Sequence, residues 1–128
     1  MIDVSPAATD DDALVLASVE RPIDLVHLAR MTLGDRELER EVLQLFDRQA
    51  SMLVARIREA APAAGAAVAH TLKGSARGIG AWRVASAAEA LEQAAVRGAE
   101  ADFTAALTRL EAAAAEARTV IAELLRTN

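Results

Sequence analysis

The sequence predicts an all-α protein, an antiparallel up-down four-helix bundle with a short additional N-terminal helix. Three observations carry this. Alanine, the residue with the best intrinsic helix propensity, dominates a chain that is 53% hydrophobic. Apolar residues recur in steps of three and four over most of the length. No run alternates over strand length with aromatic or β-branched residues, so essentially no sheet is expected.

Residues 1–21 mix Ser, Pro, Thr and the run Asp10-Asp11-Asp12, and read as a flexible acidic arm with one apolar patch, Ala13 to Val19. Residues 22–128 form the expected domain. Pro22 suits a first helical turn, and Ile23, Val26 and Leu28 continue a short helix to about Met31. Leu33-Gly34-Asp35 supplies its stop and the next N-cap. From Asp35 to about Ala60, Leu38, Val42, Leu45, Phe46, Met52, Leu53 and Ile57 give a long amphipathic helix. Pro62 interrupts the pattern, and a helix from near Ala63 places Val68, Leu72, Ala76 and Ile79 on one stripe. Gly78-Ile79-Gly80 is the next weak point. A further helix from about Ala81 to Arg97 turns Val84, Ala88, Leu91 and Ala95 inward. The last, Asp102 to Leu125, repeats Phe103, Leu107, Leu110, Ala114, Ala117, Ile121 and Leu124. Connections this short make sequential helices antiparallel.

Composition narrows the function classes. With 14 basic and 19 acidic residues, a net charge of -5 gives no counterion-release affinity for nucleic acid. The absence of cysteine removes thiol chemistry and thiolate metal sites. The longest early apolar run falls well short of the ~20 residues of a membrane span, so a cytoplasmic protein with no membrane partner is expected. Two histidines without His-x-x-x-His spacing do not make a zinc site. The Gly-Ile-Gly stretch lacks the strand and lysine-serine end of a phosphate loop, and Asp10 to Asp12 lacks the glycine and terminal glutamate of a calcium loop. No metal site is expected.

His70 is the informative residue. At about 100° per residue, Val68 and Leu72 each lie about 200° around the helix from it, so the ring faces water. Gly74 and Arg77 share its face, and Lys73 sits beside it. Gly74 costs roughly 1 kcal/mol against alanine in a helix interior, so stability does not explain it. A missing side chain one turn from the ring gives a partner or a phosphoryl group clearance, and Lys73 can reach anionic oxygens placed there. If the hairpin turns near Gly80-Ala81, Glu92 falls level with His70, where it can accept a hydrogen bond from one ring nitrogen and present the other as nucleophile. Ala63, Ala66, Ala67 and Gly74 leave a shallow surface along the histidine face, with Arg77 available to pair with a partner's acids. His27, with no cation or glycine companion, reads as structural or solvated.

The stretch "HTLKGSARGIGA" resembles the signature of histidine-containing phosphotransfer (HPt) domains, a His-x-x-Lys-Gly core followed by a glycine near the helix turn. The flanks "LGDRELEREVLQLFDRQ" and "ASAAEALEQAAVRG" are similar to that family's neighbouring helices. The resemblance implies that His70 accepts phosphate, that Lys73 steadies its oxygens, that Gly74 keeps access open and that Gly80 has a structural role at the turn. It also implies reversible phosphoryl transfer with an aspartyl phosphate on a response-regulator receiver domain, fed by a hybrid or sensor histidine kinase. Magnesium is then expected on the receiver, with no cofactor in this chain, which is expected to be a monomer. Two alternatives stand beside this reading: a helical adaptor whose histidine is idle, and a dimeric kinase-like phosphotransferase. The latter is disfavoured because Thr71 stands where such kinases carry an acid, and no residues remain for an ATP-binding domain.

Overall fold

A computed structural model describes residues 21–127, and the acidic arm at 1–20, including its apolar patch, lies outside the described residues. Five helices and no strand occur among the described residues: α1 (Leu25–Met31), α2 (Arg36–Glu59), α3 (Pro62–Ile79), α4 (Trp82–Arg97) and α5 (Glu100–Thr127).

Local chemistry sets the boundaries. Asp35 caps α2, its carboxylate accepting from Leu38 N at 3.1 Å. Pro62 opens α3 at a position where its missing N–H costs nothing. Gly80 and Gly98 end α3 and α4 in the left-handed conformation that terminal residues adopt to satisfy the last carbonyls. Contrary to the sequence expectation, Pro22 does not open α1, which begins at Leu25. Asp24 caps that helix, accepting from His27 N at 3.0 Å, and Ile23 is buried ahead of it. An aspartate with extended backbone, whose carboxylate accepts from the first turn, outcompetes proline as the start signal here.

Cross-helix pairs fix the directions. On α2 and α5, Arg40 reaches the Leu125 carbonyl, Asp47 pairs with Arg118, and Arg58 with Glu111, so rising numbers on one helix meet falling numbers on the other. Lys73 with Glu92 and Arg77 with Glu89 show the same antiparallel order for α3 and α4. Arg83 with Glu116 and Arg97 with Asp102 show it for α4 and α5. The four long helices thus close a bundle, with α1 laid against α3.

Alanine shapes the core. Ala50, Ala69, Ala76, Ala87, Ala88 and Ala117 are fully buried among Phe46, Leu43, Ile57, Leu72, Leu91, Leu110 and Ile121. Small side chains let the helices approach closely, and the larger ones interdigitate between them. On α4 the inward position near the C-terminus is Ala94 rather than Ala95.

The long stripe expected on α2 divides in two. Leu43, Phe46, Ala50, Leu53, Val54 and Ile57 face the core, whereas Leu38, Leu45 and Met52 are 39%, 51% and 48% exposed. Residues seven apart return to nearly the same angle, about 20° short of two full turns, so these three form a separate face. No helix among the described residues is long and apolar enough to cross a membrane.

Candidate functional site

The turn between α3 and α4 sets the level of every residue on the hairpin. Gly80 ends α3 with φ of 83°, and a Cβ placed on it would meet Asp24 Cβ at 2.9 Å and the Asp24 carbonyl oxygen at 3.0 Å. Only glycine tolerates both the backbone and the approach of α1. Asp24, 5% exposed, ties the junction together: its N–H donates to the Gly80 carbonyl at 2.9 Å, and its second carboxylate oxygen accepts from the Trp82 indole at 2.8 Å. His27 lies edge-on to Trp82 with centroids 4.9 Å apart, and its Nε2 lies 3.2 Å from the Gly78 carbonyl. The sequence reading of His27 as structural or solvated is met on its structural side. Pro22 is the stronger local helix-start signal, and it masks Asp24, whose own signal is an aspartate directly before an apolar helical run.

From this turn the hairpin runs back to the histidine. His70 is exposed on α3, and across the interface Glu92 of α4 is level with it, with Glu92 Oε2 3.0 Å from His70 Nδ1. The same carboxylate holds a cation on its other oxygen: Lys73 Nζ is 2.7 Å from Glu92 Oε1. Exposure grades steeply over these few ångströms, from 70% for the His70 side chain to 22% for Glu92 and 12% for Lys73. The cation and carboxylate form a half-sheltered base from which the ring projects into solvent.

Burial works to raise the Glu92 pKa, but Lys73 and His70, through hydrogen bonding and charge, outweigh it and hold the carboxyl below its usual 4.5. It is therefore ionised at neutral pH and can only accept hydrogen bonds. A neutral His70 ring consequently carries its proton on Nδ1, and the lone pair is on Nε2, at the outer end of the ring.

The remaining residues from the sequence reading frame this centre unequally. Gly74 is exposed, and a Cβ there would meet nothing within 4 Å. Ala63 and Ala67 are exposed and Ala66 half-buried, so small residues do lie along the histidine face. Arg77 is 3.8 Å from Glu89, a loose, solvent-exposed pair one turn from Lys73. On the α4 side an open groove lined by Lys73, Glu89, Glu92, Gln93, Val96 and Arg97 borders the ion pair. Lys73 is engaged by Glu92 rather than standing free beside the ring, a pairing across helices that spacing along α3 does not reveal.

A family model described as Hpt domain matches residues 41–122, more than half of the chain and all of the His70, Lys73, Gly74, Gly80 and Glu92 cluster. No curated protein and no solved structure matches it. Hpt domains serve phosphotransfer in two-component phosphorelays, working with response regulators and histidine kinases. An all-helical bundle with an exposed histidine on its central hairpin and a family match spanning that hairpin lead to one assignment: the chain belongs to the Hpt domain family.

Proposed function

We propose that the chain relays a phosphoryl group between an aspartyl phosphate on a response-regulator receiver domain and Nε2 of His70. The observation that carries this is the Glu92 carboxylate at 3.0 Å from Nδ1 of a ring that is 70% exposed. It orients the imidazole, selects the tautomer and leaves the nucleophilic nitrogen facing outward.

The Nε2 lone pair attacks phosphorus, the N–P bond forms as the acyl P–O bond breaks, and the receiver's carboxylate leaves with the bonding pair. The ring gains positive charge in this step. Glu92 stabilises that charge through the Nδ1 proton, which stays in place. Lys73 turns from Glu92 toward the phosphoryl oxygens, which exchanges one anionic partner for another. Gly74 leaves room for the incoming phosphoryl group, and Ala66, Ala67 and Arg77 contact the receiver. Magnesium belongs to the receiver's acidic site, and the bundle contributes chiefly positioning and charge. A hybrid or sensor kinase feeds the relay, a cytoplasmic setting is part of the same reading, and the chain has no autokinase activity.

The test incubates the full-length chain with receivers of the same organism, each phosphorylated beforehand with acetyl phosphate in the presence of magnesium. Acid-labile, base-stable phosphate is expected on the wild type and none on His70→Gln. Failure of every receiver to label the wild type would overturn the relay and favour an adaptor role. Equal labelling of His70→Gln would overturn the assignment of the site.

A further inference from the structure

The exposed face of α2 lies outside the His70, Lys73 and Glu92 cluster, which α3 and α4 supply. Leu38, Leu45 and Met52 repeat every seven residues and fall within about 40° of one another around the helix. Each is between 39% and 51% exposed, although the bundle has a continuous core only a turn away on the same helix. Glu41 and Arg48 lie about 40° and 60° to one side of Leu45. Both are exposed, and neither has an ion-pair partner among the described residues.

We propose that this face is a self-association surface, on which α2 of a second copy packs antiparallel about a two-fold axis at Leu45. The charge pattern selects both the occupant and its direction. In an antiparallel pair centred on Leu45, Leu38 falls opposite Met52 and Leu45 opposite its own counterpart. Glu41 then stands within one residue of the level of Arg48 of the second copy, on the same flank, and symmetry repeats the pair. A parallel pair would instead place the two copies of Glu41, and likewise of Arg48, level with each other on opposite flanks of the seam, where neither charge meets an opposite one. The seven-residue spacing matches the repeat by which two helices keep one seam in contact.

The surface is modest. A 24-residue helix is about 36 Å long, and one helix pair with a single apolar row buries less than the ~1,200 Å² typical of a stable interface. Association is therefore weak and concentration-dependent, and the monomer expected from the sequence is its dilute limit.

Sedimentation equilibrium of the full-length chain from micromolar to millimolar concentration tests this. The mass is expected to rise from monomer toward dimer, and Leu45→Glu is expected to weaken association by about tenfold or more. Leu45 is half exposed, so this substitution leaves the core intact. Glu41→Arg and Arg48→Glu should each weaken the dimer, and the two together should restore it, because the exchange rebuilds both pairs. The chain has no cysteine, so oxidation of Leu45→Cys should give a cross-linked dimer, whereas Val96→Cys on α4 should not. A wild type that stays monomeric throughout, or a dimer unchanged by Leu45→Glu and cross-linked equally through Val96→Cys, would overturn the proposal. So would a monomeric wild type in which Leu45→Glu lowers phosphate uptake from a receiver, which would assign the face to that partner. The sedimentation and cross-linking readings do not depend on whether His70 accepts phosphate.

Discussion

The two histidines present opposite ends of the imidazole to their surroundings. His27, at the crowded turn of the hairpin, directs Nε2 at the Gly78 carbonyl at 3.2 Å and packs against Trp82. A carbonyl only accepts, so a proton on Nε2 is what that contact uses. His70, about ten residues up α3, directs Nδ1 at a carboxylate and leaves Nε2 in solvent. One ring closes a structural junction and the other is held open. The glycines divide in the same way: a side chain on Gly80 would collide with Asp24, and a side chain on Gly74 would meet nothing. Residue type alone does not separate structural from chemical roles here; what each residue faces does.

Substitutions at the turn should produce the largest stability effects. Gly80→Ala combines a positive φ with a contact against Asp24 that backbone atoms share, and is expected to cost about 2 to 4 kcal/mol. Denaturant unfolding measures this, and phosphate uptake per folded molecule should remain close to that of the wild type. Gly74→Ala should do the reverse, raising stability by up to about 1 kcal/mol because alanine is the better helix former and the space is empty. Replacing Gly74 with leucine should retain the fold while slowing transfer from a phosphorylated receiver by about tenfold or more, an effect equivalent to roughly 1.4 kcal/mol in the barrier. Transfer unaffected by leucine would remove the clearance role.

The smallest effect concerns pH. The Glu92 carboxyl is held below 4.5 in the folded chain, so its contribution to stability is fully present above the unfolded-state value and is lost as pH falls through the folded one. The stability difference between wild type and Glu92→Gln should therefore shrink as pH falls below about 4.5. Unfolding curves of the two proteins across that range check the sign.

Much of the hairpin was legible in the sequence because a helical repeat and a short turn fix geometry with few parameters. Counting eleven residues each way from Ala81, in the Gly80-Ala81 turn, places Glu92 level with His70, and the structure finds the two in contact. Angular spacing places His70 away from Leu72 and Ala76, which are buried. The α2 stripe is ambiguous for a related reason: Leu38, Leu45 and Met52 fit a three-and-four pattern together with Phe46 and Leu53, although seven-residue steps return them to a face of their own. Lys73 was harder. Proximity on one helix associates it with His70, but its partner across the interface is a carboxylate that offers both charge and shelter. Asp24 depends on how α1 lies against α3, a contact between segments more than 50 residues apart that periodicity does not encode.

The most direct measurement is a long-range proton–nitrogen correlation spectrum, with phosphorus coupling, of the full-length chain after loading from a phosphorylated receiver. The expected result is phosphorus bonded to Nε2 of His70, with Nδ1 still protonated against Glu92 and His27 unmodified. Phosphorus on Nδ1 of His70, on His27 or on neither ring would contradict the assignment of His70 as a carrier oriented by Glu92.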